Sequence, residues 1–208
     1  MIKRAKKLKN YFLFDINVVI RFLILSDTIL LGAAGLLAPI FALYIQDFIS
    51  TEHSEIVAGI AVGIYLLTKS IMQIPIAELV DRIRGERDDF WIMFIFTLII
   101  AVIPLTYLFI HTPFQLYIVQ FFLGLCTAFT FPTYMAIFTR HIDKSKEGTE
   151  WGVYFTATDL SSALLAIIGG YVASTQGFPT LITIIVGASI IGSLLLWPIK
   201  PYIRMPKH

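Results

Sequence analysis

The chain has 208 residues, 57% hydrophobic and 14% charged, with a net charge of +2 and a mean hydropathy of +0.81. Soluble domains carry about 25% charged residues, so the solvent of this protein is mostly lipid. The small net charge argues against nucleic-acid binding, and the lone Cys126 excludes an intrachain disulfide and a multi-cysteine metal site.

Six apolar runs follow one another, at 20–46, 55–80, 90–110, 114–139, 151–174 and 178–198. About 20 helical residues cross the hydrocarbon core, and backbone polar groups exposed to lipid are prohibitive there, so each run predicts a membrane-spanning helix. The first 19 residues form a basic segment (Lys3, Arg4, Lys6, Lys7, Lys9). They do not read as a cleavable signal, because Asp15 and Arg21 interrupt the apolar stretch and further spans follow. Residues 20–198 form the transmembrane domain and 199–208 a tail.

The joining segments alternate in charge. The second loop (Arg82, Arg84, Arg87), the fourth (Arg140, Lys144, Lys146) and the tail (Lys200, Arg204, Lys207) are basic like the start. The first, third and fifth loops contain no Lys or Arg. Lys and Arg collect on the cytoplasmic side, so one even-numbered set of spans with both ends inside the cell accounts for every loop. Trp91, Trp151 and Trp197 fall at the basic ends of their spans, and Tyr44, Tyr117 and Tyr171 at or near the other ends, where such rings favour the headgroup level. Pro39, Pro75, Pro104 and Pro132 lie inside spans, where each removes a backbone donor and is expected to kink its helix.

Polar groups divide the spans into two classes. The third and sixth carry no charge and are expected to face lipid on most sides. The first carries Arg21 and Asp27, the second Lys69 and Gln73, the fourth Gln120 and the fifth Asp159. A charge near the bilayer centre costs about 2.5–3.5 kcal/mol on insertion scales, so these residues should face protein, water or a partner. Arg21 is close enough to the interface to snorkel. Asp27 lies roughly 10 Å inward, Asp159 at comparable or slightly greater depth, and Lys69 about 18 Å in. Tyr65, Lys69 and Gln73 share one helix face, and Thr156, Asp159 and Ser162 form a second polar stripe. A structural ion pair and a polar cavity both accommodate these groups, and intramembrane ionisable residues favour the functional reading. Small residues (Gly32 to Gly35, Gly124 with Ala128, Ala166 with Gly170) allow close helix packing. No metalloprotease, nucleophile-elbow or phosphate-loop pattern occurs, which points away from an enzyme.

The segment from Ala77 to Arg87 reads AELVDRIRGER. It resembles the signature loop of the major facilitator superfamily, G-x-L-a-D-r-x-G-r-k. Leu79, Asp81, Arg82, Gly85 and Arg87 match in type, Ala77 replaces the first glycine, and one residue is inserted before Gly85. Gly124 and Pro132 in the fourth span and Gly169-Gly170 in the fifth stand where that family has similar residues.

The resemblance covers nearly the whole chain and implies a fold. The family has twelve spans in two six-helix halves; this chain resembles one half, an all-α polytopic membrane protein. Two copies in one orientation could replace the two halves. The first and fourth helices of each half would line the cavity, and the third and sixth would stay outside. The second helix of one half would meet the fifth of the other, bringing Lys69 towards the partner's Asp159. Asp81, with Arg82 and Arg87, would latch the cytoplasmic gate near the start of the partner's fifth helix, where an acidic side chain is favoured. Gln120 stands where proton-coupled drug antiporters of the family often carry Arg, and Leu165-Ala166 where they carry Gly-Pro.

The expected function is secondary active transport of a small solute by alternating access, as a homodimer in the plasma membrane, without metal or cofactor. Asp27, Lys69, Gln73, Gln120 and Asp159 are the expected substrate or ion contacts. The expected partners are membrane lipid, a small-molecule substrate and a second copy of the chain. A non-transporting scaffold, or a half that needs a different partner chain, is the alternative.

Overall fold

The fold is taken from a computed structural model, which describes residues 16–49, 53–82 and 85–203. The basic residues of the first 15 positions, with Arg84, Arg204 and Lys207, lie outside the described residues. Among the described residues the chain is helical and contains no strand.

Six spans result: Val18–Phe48, Ser54–Arg82, Glu86–Leu108, Pro113–His141, Glu147–Gln176 and Phe178–Tyr202. They match the six apolar runs, and several helices extend beyond their run at the basic end. The third opens on Glu86, Asp88 and Asp89, the fifth on Glu147, and the fourth closes on Arg140 and His141. Acidic groups at a helix start and basic groups at its end complement the backbone dipole, so the helix outlasts its apolar stretch.

Local chemistry sets several boundaries. The Asn17 side chain accepts from the Val19 N–H at 2.9 Å and starts the first span. Thr112 and Gln115 cap one another before the fourth, with Pro113 in the first turn. The prolines act in two ways. Pro39 and Pro104 sit in 3-10 turns, at Ala38–Ile40 and Ile103–Leu108, that interrupt or end the α-helix. Pro75 and Pro132 lie inside helices that run on past them.

The most extensive packing runs in the order second, fourth, third, sixth, first, fifth; in addition the first span touches the second and the fourth, and the fifth touches the sixth. Exchanging the first three spans with the last three leaves this neighbour order unchanged. The sequence carries the same relation. Gly32 and Gly124, Pro39 and Pro132, Gly85 and Gly177, and Pro104 and Pro198 all recur roughly 90 residues apart. Gly85 (φ 149°) and Gly177 (φ 83°) precede the third and sixth spans in backbone conformations that side-chain-bearing residues rarely adopt. Two three-helix units of opposite orientation therefore build the bundle.

Burial follows this order. Only 11% of the apolar stretch of the second span and 17% of the fifth is buried, against 44% of the sixth. The second and fifth close the two ends of the packing order and present Leu67, Ile71, Ile74, Leu160, Leu164 and Ile167 outward. The third span, at 28%, is exposed on much of its surface, but the sixth departs from the expectation that it faces lipid on most sides. Its Ser189, Gly192 and Ser193 are small enough to be buried. The Ser26 hydroxyl donates to the Gly192 carbonyl at 2.8 Å, and the Ser193 hydroxyl to the Thr97 carbonyl at 3.3 Å, which ties the sixth span to the first and third.

Candidate intramembrane polar site

Asp27 is half-buried where the first span meets the fifth. Its carboxylate accepts a hydrogen bond from the Tyr154 hydroxyl at 2.9 Å. The buried Tyr134 of the fourth span stands beside the same carboxylate, and the Tyr134 and Tyr154 ring centroids are 6.1 Å apart. One carboxylate on the first span thus draws polar groups from two others, the fourth and the fifth. Close backbone approach makes this possible, because a Cβ at Gly32 would lie 2.3 Å from the Ser161 hydroxyl and one at Gly169 2.0 Å from the Leu36 carbonyl oxygen. Ser162 adds a hydrogen bond to the Leu31 carbonyl at 3.2 Å.

Asp159 also lies on the fifth span, with its side chain exposed. The fifth helix starts at Glu147, earlier than its apolar run, so Asp159 lies about 18 Å along the helix from its basic end. Thr156 is exposed beside it.

Lys69 and Gln73 are half-buried at the other seam, between the second and fourth spans. The Lys69 ammonium lies 4.8 Å from the Phe131 ring centroid, an arrangement that partly replaces lost hydration by attraction to the ring face. Gly124 allows the approach, since a Cβ there would meet the Tyr65 carbonyl oxygen at 2.5 Å.

Gln120 stands apart from these groups. It is 6% exposed, and its amide donates to the Tyr107 hydroxyl at 3.1 Å. The Tyr44 hydroxyl donates to the Tyr107 carbonyl at 2.6 Å, with Phe178 edge-on to Tyr44. Gln120 belongs to a polar staple in the core at the end opposite the basic loops.

Asp81, Arg82 and Arg87 are exposed at the basic end, and Arg82 pairs with Glu78 one turn earlier. The contacts there that reach into the core involve other residues. Asp89, fully buried, pairs with Arg140, and Glu86 lies 3.7 Å from His141, both buried. These contacts fasten the start of the third span to the end of the fourth. The acidic triplet and the Arg-His pair are visible in the sequence, and their shared end of the bundle was the signal for the pairing.

The family model of the Major Facilitator Superfamily matches residues 23–207. The chain belongs to the major facilitator superfamily. It is a six-helix, multi-pass membrane protein of this transporter family.

It is similar to an uncharacterized MFS-type transporter of Methanocaldococcus jannaschii, 32% identical over 154 residues, covering 74% of this chain and 38% of the relative. It is also similar to multidrug resistance protein MdtG of Serratia proteamaculans, 25% identical over 75% of this chain and 37% of the relative. For MdtG of Escherichia coli the identity is 20%, over 89% of this chain and 45% of the relative. The chain thus spans less than half the length of these curated superfamily relatives. No solved structure matches it significantly.

Proposed function

We propose that this protein is a secondary active transporter of a small solute, assembled as a homodimer of six-helix halves that alternates access across the membrane. The observation that carries this reading is the exposure of Asp159 on the fifth span, one of the two least buried spans. A carboxylate at that depth is costly to show to hydrocarbon. Lys69, on the other sparsely buried span, lies at a similar depth, about 18 Å from its helix's basic end. A second copy in the same orientation offers the complementary charge, and a two-fold assembly is the commonest closed form.

In this reading Lys69 and the partner's Asp159 form a pair that makes and breaks between states. Asp27, held by Tyr154, is the substrate or ion contact near mid-membrane, with Gln73 lining the same cavity. Asp81, Arg82 and Arg87 close the basic end, which lies in the cytoplasm of a plasma-membrane protein with both termini inside. Gln120 we assign to packing. The MdtG relatives are named for multidrug resistance, and one acid in the first span is compatible with cationic or amphipathic solutes.

Reconstitution into liposomes with a solute panel and an imposed proton gradient tests the proposal. Uptake by the wild type that falls in both Asp27→Asn and Asp159→Asn is expected. Equal flux from all three proteins would remove these residues from the mechanism. No flux for any solute, together with recovery of a different protein chain in fixed stoichiometry, would favour the half that needs another partner.

A further inference from the structure

At the basic end, two aromatic rings and two cations gather on the outer surface of the seam between the third and sixth spans. The Lys200 ammonium lies 5.1 Å from the Trp91 ring centroid and 4.6 Å from that of Trp197. The two indoles stand 6.1 Å apart and nearly perpendicular. Arg87, exposed, precedes Trp91 by one helical turn and so projects from the same face of the third span. Ile95, one turn beyond Trp91 on the third span, and Leu194, the last residue of the sixth span's α-helix before the turn that carries Trp197, are about half exposed.

A lysine that only needed water would extend away from the bundle, as long cationic side chains do at membrane ends. Lys200 instead lies against two indole faces. The rings hold the ammonium in place by cation–π attraction. Indoles favour the headgroup level of the bilayer. The order along the seam is then cations, indoles at the headgroup level, and exposed aliphatic side chains deeper in. This order matches a phospholipid, with phosphate, glycerol region and acyl chain. The two positive side chains select a net negative headgroup.

We infer that the surface formed by Arg87, Trp91, Trp197 and Lys200 is a binding site for one anionic phospholipid. The lipid phosphate meets Lys200 and Arg87, and an acyl chain follows Ile95 and Leu194. The site lies within one protomer and is independent of the proposed dimer.

Native mass spectrometry of the full chain, released from detergent after exposure to phosphatidylglycerol or phosphatidylcholine, tests this. The wild type is expected to retain phosphatidylglycerol in preference to phosphatidylcholine. Lys200→Gln should weaken that retention about fivefold, the worth of one cation near an anionic surface. Lys200→Arg should preserve it, and Lys144→Gln, an exposed charge at the same end, should leave it unchanged. Thermal unfolding in inorganic phosphate provides the comparison with a free anion, and no stabilisation is expected. Equal retention of the two lipids would overturn the inference. So would equal losses in Lys200→Gln and Lys144→Gln, or stabilisation by inorganic phosphate that matches that by phosphatidylglycerol.

Discussion

The Tyr154 hydroxyl donates to the Asp27 carboxylate at 2.9 Å, so a side chain on the fifth span holds the charged group of the first. This bond gives Asp27 a fixed orientation within one protomer. Asp159, one and a half turns beyond Tyr154, has no such cover and is exposed. The two carboxylates therefore differ in what they need from outside the protomer.

Tyr154→Phe removes the donor and keeps the ring. Hydrogen bonds between membrane helices average about 0.6 kcal/mol and reach about 1.7. Unfolding measured for Tyr154→Phe, Asp27→Asn and the double variant should give a coupling energy of about 1 kcal/mol. Additive effects would show that the two side chains do not act together.

Gly169 and Gly170 are adjacent and should respond differently to substitution. A Cβ at Gly169 would fall 2.0 Å from the Leu36 carbonyl oxygen, whereas one at Gly170 meets nothing within 4 Å. Gly169→Ala should force the first and fifth spans apart and cost about 1–3 kcal/mol, read as a lower melting temperature. Gly170→Ala should melt close to the wild type.

Arg140→Ala leaves Asp89 buried without its partner. Arg140 itself is partly exposed, so the loss is that of a buried carboxylate left short of a partner, about 1–3 kcal/mol. Arg82→Ala breaks a pair in which both side chains are mostly exposed, and such pairs contribute about 0–1 kcal/mol. Melting in detergent should therefore fall steeply for the first variant and hardly for the second.

Gln120→Ala should separate packing from transport. Its amide is committed to Tyr107 in the protomer's own core. We expect a lower melting temperature with an unchanged KM for the transported solute, whereas Asp27→Asn should change transport. A raised KM in Gln120→Ala without loss of stability would return this residue to the site.

Most of the fold could be read from the chain because its signals are local. Apolar runs long enough to span the membrane, and charges concentrated in alternate loops, do not depend on distant neighbours. The signature loop around Asp81 and Arg82 is likewise contiguous. The site was less legible for the opposite reason. Tyr134 and Tyr154 resemble ordinary interfacial or core aromatics until the fold places them beside Asp27. The Gln120 amide meets Tyr107 in the core, a contact hidden in a run that is apolar on all sides and does not reveal which face turns inward. The sixth span lacks charge, and that suggested lipid exposure. Its small residues, Ser189, Gly192 and Ser193, instead allow it to be the most deeply packed span. The recurrence of glycines and prolines roughly 90 residues apart was present in the sequence and carried the internal symmetry.

Site-directed crosslinking addresses the dimer most directly. Copies carrying Lys69→Cys and copies carrying Asp159→Cys, both with Cys126→Ser, would be produced together and oxidised in native membranes. The account predicts a crosslinked species of twice the protomer mass that needs both variants. Absence of that species, with a purified particle containing a single protomer and no companion chain, would contradict it.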